Sequence, residues 1–176
     1  MRRDDVRNNL YLAGLVKRYH TWPTLHQETV AEHTFGVLQV YRQIWGLTPG
    51  VVECILDHDL PEIRTGDAPF PAKRECPELA AGHKAAEKVA RVEMGVPNEK
   101  SYDVHDHERV RMKIADLLQM WLFGRHESRL GSAYAIPIVN DTSSAALELA
   151  QSLSQVDSVS VRTWMNIQIR EEITRE

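Results

Sequence analysis

His58-Asp59-Leu60-Pro61-Glu62 decides how this chain is read. Neighbouring residues on a regular helix point about 100° apart, so His58 and Asp59 converge on one point only near a helix end, and Pro61 obliges the ladder to stop there. Upstream, Thr29-Val30-Ala31-Glu32 has the form of a capping box, which starts a helix and sets His33 in its first turns. Downstream, Lys113-Ile114-Ala115-Asp116 contributes a second carboxylate. Two imidazoles and two carboxylates, from His33, His58, Asp59 and Asp116, form a donor set for a divalent metal. Zinc, manganese, cobalt, iron and nickel are all accepted by such ligands, and the affinity order does not choose among them.

Outward from this core, apolar spacing divides the chain into helices. From Thr29 one face continues through Ala31, Phe35, Leu38, Tyr41 or Arg42, and Trp45 until Gly46. Thr48-Pro49 offers an N-cap and a first-turn proline, after which Val52, Ile55 and Leu56 make a stripe leading to His58-Asp59. An earlier helix is expected over Val6 to Lys17, followed by an irregular stretch from Arg18 to Gln27 that carries Pro23. Residues 64–77 hold Gly66, Pro69, Pro71 and Pro77, so no continuous helix fits them, and a loop is expected directly after the metal pair. Further helices are expected from about Glu78 to Glu93, closed by Gly95 and Pro97, and from about Glu108 to Phe123 with Ile114, Leu117, Leu118 and Trp121 inward. Two more are expected near Ser143–Gln155 and Ser158–Glu172, and no alternating strand pattern of useful length occurs. The fold class is therefore all-α: one compact domain over residues 1–176, with the site motifs within 18–116 and the helices of 143–175 completing the bundle or an oligomer contact.

Composition narrows the function. With 176 residues and a formal charge of −4, the chain suits one domain, and its scattered basic residues argue against a groove for nucleic-acid polymers. Cys54 in an apolar run and Cys76 in a polar stretch make no disulfide framework, which fits a reducing, cytoplasmic compartment. Met-Arg-Arg-Asp-Asp is followed by no apolar segment, and no stretch approaches the ~20 apolar residues of a membrane span. The run Asp103-Val104-His105-Asp106-His107-Glu108 lacks the spacing of residues 58–62 and reads as a polar loop and helix cap. Trp121, Trp164 and Ile167 read as core or oligomer contact.

These ordered motifs resemble the HD-domain phosphohydrolases over roughly residues 10–130. Arg18-Tyr19, Glu28 to His33, Glu62-Ile63-Arg64-Thr65-Gly66-Asp67 and Pro69 to Lys73 are similar to the bacterial 5'-deoxynucleotidase (YfbR-like) branch. The shorter phage dATP triphosphohydrolases (DatZ-like), found where 2-aminoadenine replaces adenine in the viral genome, are more similar still. The resemblance implies a metal-dependent hydrolase that cleaves dATP to deoxyadenosine and triphosphate, acting as a homo-oligomer, a dimer or larger, up to a hexamer. A 5'-deoxynucleotidase acting on monophosphates is the alternative. A non-catalytic nucleotide-binding module is the alternative of another class, and the extended motif of cyclic-dinucleotide hydrolases is absent after Asp59.

A divalent ion lowers the pKa of bound water and polarises a phosphoryl oxygen. Glu62, four residues after His58, reaches the same pocket as a water-orienting base, a catalytic role that the resemblance also implies. Asp67 has three open roles: acid to the leaving alkoxide, partner of the deoxyribose hydroxyl, or ligand of a second divalent ion. Arg18 forks onto phosphate oxygens, and Tyr19 stands where the deoxynucleotidases carry tryptophan. Lys73 and Lys113 meet the charge of a β,γ-phosphate tail, while Trp22, His20 and Phe70 stack on a base. Adenine preference rests on the resemblance alone.

Overall fold

The computed structural model describes residues 10–173, leaving aside the side chains of Leu10, Phe70, Pro71, Glu99, Glu172 and Ile173. Among the described residues the regular structure is helical, with one isolated antiparallel bridge between Lys17 and Thr29. In chain order the α-helices are α1 (Leu10–Ala13), α2 (Val30–Trp45), α3 (Pro49–Asp57), α4 (Glu62–Thr65), α5 (Phe70–Glu75), α6 (Pro77–Met94), α7 (Asp106–Arg129), α8 (Ile136–Leu153) and α9 (Gln155–Ile173). The all-α expectation holds. No helix among the described residues is long and apolar enough to cross a membrane.

The chain divides into two compact units. One comprises the chain through Gly36 with Pro49–Val104, and the other Val37–Thr48 with the chain from His105 onward. Apart from the 18-residue α6, the first unit is built from short helices joined by polar pairings. Its helix α1 ends at Ala13 instead of running to Lys17, because residues 14–18 turn to pair with the start of α2. Arg18 N–H donates to Glu28 O at 2.9 Å, Val30 N–H to Val16 O at 2.9 Å, and Ala31 N–H to Gly14 O at 3.0 Å. The capping box is formed as expected: Thr29 N–H donates to Glu32 Oε2 at 2.8 Å and Glu32 N–H to Thr29 Oγ1 at 3.2 Å. These bonds hold the Glu32 carboxyl below its usual range, the backbone bond from Thr29 most of all.

Two amphipathic faces are rotated from their expected positions. In α2 the buried side chains are Val30, His33, Thr34, Val37, Val40 and Tyr41, whereas Phe35 is 64% exposed. In α3 they are Val51, Cys54 and Ile55, and Leu56 is half exposed. Apolar residues on both sides of each helix make more than one stripe readable, and burial of the His33 side selects among them. Residues 64–77 are likewise not one loop. Pro69 N-caps α5, Pro71 occupies its first turn and Pro77 opens α6, all positions where a missing N–H is tolerated.

The second unit has longer helices and an aromatic core. Ile114, Leu117, Leu118 and Trp121 are buried along α7 as expected, and the Trp121 and Trp164 rings lie 6.2 Å apart. Ile167 is instead 45% exposed. Helix α7 runs past Phe123 to Arg129, because Gly124 is a packing residue: a Cβ there would stand 3.0 Å from Val139 Cγ2 of α8. Helix α8 begins at Ile136, earlier than expected, with Pro137 in its first turn. His105 caps α7 and its N–H donates to Glu108 Oε2 at 2.8 Å, so the polar run at 103–108 is the cap that its composition suggested.

Candidate metal centre

His58 and Asp59 follow directly on the last residue of α3, where the backbone leaves the helix and adjacent side chains can converge. His33 comes from the first turn of α2, fully buried. One ligand atom from each of His33, His58 and Asp59 lies within 4.8 Å of the others, a spacing that suits one shared cation. Asp59 Oδ2 is 3.6 Å from His33 Nε2 and 3.3 Å from His58 Nε2, and the two imidazole centroids are 5.5 Å apart.

The donor chemistry fits a metal. His58 Nδ1 lies 2.5 Å from Ile55 O, a contact that requires the proton on Nδ1 and leaves the Nε2 lone pair facing the cluster. That Nε2 is buried and makes no hydrogen bond among the described residues. A buried acceptor without a donor is costly in a protein interior, and a cation removes the cost.

Arg18, buried by the pairing of residues 14–18 with 28–31, places Nη1 at 2.7 Å from Asp59 Oδ2 and Nε at 3.5 Å from Glu28 Oε2. Glu28 Oε2 is also 3.8 Å from His33 Nδ1. Glu28 is thus a buried carboxylate facing both an expected phosphate-binding arginine and an expected ligand. It belongs to the motif that ends at His33, and only its burial reveals the role. Tyr19, with φ of 56°, takes the left-handed conformation, and its N–H reaches Asp67 Oδ2 at 3.4 Å. Gly66, at φ 75°, makes the turn that brings Asp67 back to this loop.

Glu62 opens α4, and its N–H donates to Asp59 O at 3.0 Å. Its side chain is 5% exposed, and Oε2 makes no hydrogen bond among the described residues. Burial pushes its pKa up to about 9, the Asp59 and Asp67 charges add to the rise, and Arg18 and Lys73 oppose it. Six expected residues, His33, His58, Asp59, Arg18, Glu62 and Asp67, therefore share one electrostatic neighbourhood, with half-buried Lys73 on α5 acting on it. Trp22 is half-buried in the turn after Tyr19, its N–H donating to Tyr19 O at 2.9 Å, while His20 is exposed. Phe70 heads α5, and its side chain lies outside the described ones. Asp116 and Lys113 lie on α7 in the second unit, where Lys113 Nζ is 2.5 Å from Asp116 Oδ2.

No protein-family model matches the chain. Part of it is similar to the dATP triphosphohydrolase of Cyanophage S-2L, 39% identical over 82 residues. That stretch is 42% of this chain and 46% of the relative, just under half the relative's length. Among solved structures, the chain is similar to the Cyanophage S-2L HD phosphohydrolase (DatZ) bound to dA and one catalytic Zn2+ ion, with a TM-score of 0.69 and 22% identity over 97% of this chain and 98% of that one. The chain therefore has the all-α fold of that HD phosphohydrolase and, over the matched stretch, resembles the dATP triphosphohydrolase in sequence.

Proposed function

We propose that this chain is a metal-dependent phosphohydrolase that cleaves dATP to deoxyadenosine and triphosphate. The observation that carries the reading is the His33–His58–Asp59 cluster, with the bare His58 Nε2 turned into it beside a buried Glu62. The matched relative is a dATP triphosphohydrolase, and the solved neighbour carries dA and zinc, which supports the substrate and the metal.

In this reading His33, His58, Asp59 and Asp116 hold the divalent ion, zinc, cobalt or manganese, within a single HD domain over 1–176. The ion supplies a more acidic water and a polarised phosphoryl group. Glu62 takes the proton of the attacking water: burial and the neighbouring carboxylates raise its pKa in the metal-free site, and the positive charge of a bound ion would favour the ionised carboxylate that a base needs. Arg18 forks onto the scissile phosphate and shifts its charge from Asp59 to the substrate as it does so. Asp67 protonates the leaving deoxyribose oxygen or holds the sugar hydroxyl, and Tyr19, Trp22 and Phe70 border the nucleoside. Lys73 and Lys113 neutralise the phosphate tail.

The reading extends to a homo-oligomer, supported by the exposed Val156, Val159 and Ile167 of α9, and to a phage setting in which dATP is depleted while 2-aminoadenine replaces adenine. The test is incubation of the metal-loaded protein with each deoxynucleoside triphosphate and monophosphate, and separation of products by ion exchange. Triphosphate and deoxyadenosine from dATP are expected. Orthophosphate from several monophosphates, with triphosphates untouched, would make the protein a 5'-deoxynucleotidase, and no product with any ion would leave a binding module.

A further inference from the structure

We infer that Arg91, far from the site motifs in sequence, is a positioning residue that sets the angle between His58 and Asp59. The inference rests on the metal reading above. Arg91 lies in the last turn of α6 and is 6% exposed. Its Nη2 donates to Asp57 O at 2.9 Å and to His58 O at 2.8 Å, while Nη1 donates to Pro97 O at 3.3 Å.

The two short bonds matter because of which peptides they hold. Asp57 O belongs to the peptide plane before the His58 Cα, and His58 O to the plane after it. The rotation of those planes about that Cα is what φ and ψ of His58 measure, so one nitrogen fixes both. The second plane also leads into Asp59, and its orientation sets where that carboxylate starts. A helix end ordinarily leaves its last carbonyls to solvent or to a cap that serves one or two of them. Here a buried cation serves the two that flank a ligand, and the side chain of the same ligand is pinned separately by Ile55 O. Ligand directions must be held within a few tenths of an ångström for tight metal binding, and supporting hydrogen bonds of this kind govern affinity.

Lysine at 91 keeps the charge but lacks the planar fork, and glutamine lacks both. Tyr102→Phe is the control: it removes the 2.6 Å bond from Tyr102 Oη to the Asp57 side chain in the same corner, without touching either peptide plane. Cobalt(II) is the probe, because its visible absorption reports ligand geometry independently of turnover. We expect R91K and R91Q to weaken cobalt binding about 10- to 100-fold and to alter the absorption bands, with R91K closer to wild type, while Y102F lowers Tm and leaves cobalt binding unchanged. Should R91Q fail to fold, R91K alone decides. Cobalt binding and bands in R91K equal to wild type, whatever its Tm, would overturn the inference, as would an equal loss in Y102F. Wild-type protein that binds no cobalt would instead bring down the metal reading on which it stands.

Discussion

Glu62 in the first unit and Asp157 in the second are both buried carboxylates, yet their surroundings push them in opposite directions. Asp157 accepts hydrogen bonds from Trp45 Nε1 at 2.8 Å, Arg111 Nε at 2.8 Å and Ser154 Oγ at 2.5 Å, and its N–H donates to Ser154 Oγ at 3.0 Å. Burial opposes its ionisation, but the bonds from Arg111, Ser154 and Trp45 outweigh that and hold its pKa below the usual range. Among the described residues Glu62 has no such donors; it faces Asp59 and Asp67, and burial and their charge push its pKa up to about 9. A carboxylate with its donors satisfied locks α9 to its neighbours in the second unit. One left short of donors stores a deficit that a cation and a water can relieve, which is the arrangement of a functional site.

The contrast can be broken at either end. Glu62→Gln keeps the shape and removes the base, so turnover should fall about 10²- to 10⁴-fold while cobalt affinity stays near wild type. Unchanged product release would take Glu62 out of the chemistry. Asp157→Ala leaves Arg111, which lies over the Trp45 ring, without its counter-charge. Stability should drop by about 3 kcal/mol, the low end for breaking a buried pair because Arg111 keeps some solvent, which is roughly 6–12 °C in Tm. Cobalt affinity of that variant should not move.

A smaller effect sharpens the electrostatic half of the comparison. The folded-state pKa of Glu62 lies above its unfolded value, so its contribution to stability is full below about pH 4.5 and is lost as pH rises toward about 9. In chelator at pH 8 the Glu62→Gln variant should therefore melt a few degrees above wild type, and the gap should close near pH 4.5. Asp157 has the opposite sign, its stabilisation present above the ordinary aspartate range and lost only in stronger acid. The smallest effect is at Lys113, whose side chain is 55% exposed. Lys113→Glu should change stability by less than about 1 kcal/mol, yet lower cleavage of a triphosphate more than that of a monophosphate. Equal loss on both substrates would remove Lys113 from the phosphate tail.

Sequence and structure agree at the capping box and at the end of α3, where the interaction is itself local. The capping box of Thr29 and Glu32 spans three residues and forms as its sequence implies. Pro61 and the end of α3 are neighbours in the chain, and His58-Asp59 emerges where that proximity requires. They part where several local solutions are close in energy. Phe35 and Val37 offer α2 two plausible faces, and packing chose the one with His33. Gly124, just past the expected helix end at Phe123, is a point of close helix approach within a helix that continues to Arg129. Prolines 69, 71 and 77 suit a loop by composition and sit instead at helix starts.

By itself, then, the sequence determined the all-helical class, the order of the candidate ligand motifs and the starts of α2 and α3, since these follow from spacing, caps and proline over a few residues. Only the tertiary structure decided which faces are buried, that Glu28 sits against Arg18 and His33, that Glu62 is deprived of donors, and that Arg91 clamps the peptides on both sides of His58. Desolvation and long-range hydrogen bonds depend on residues tens of positions apart, and no local pattern encodes their meeting.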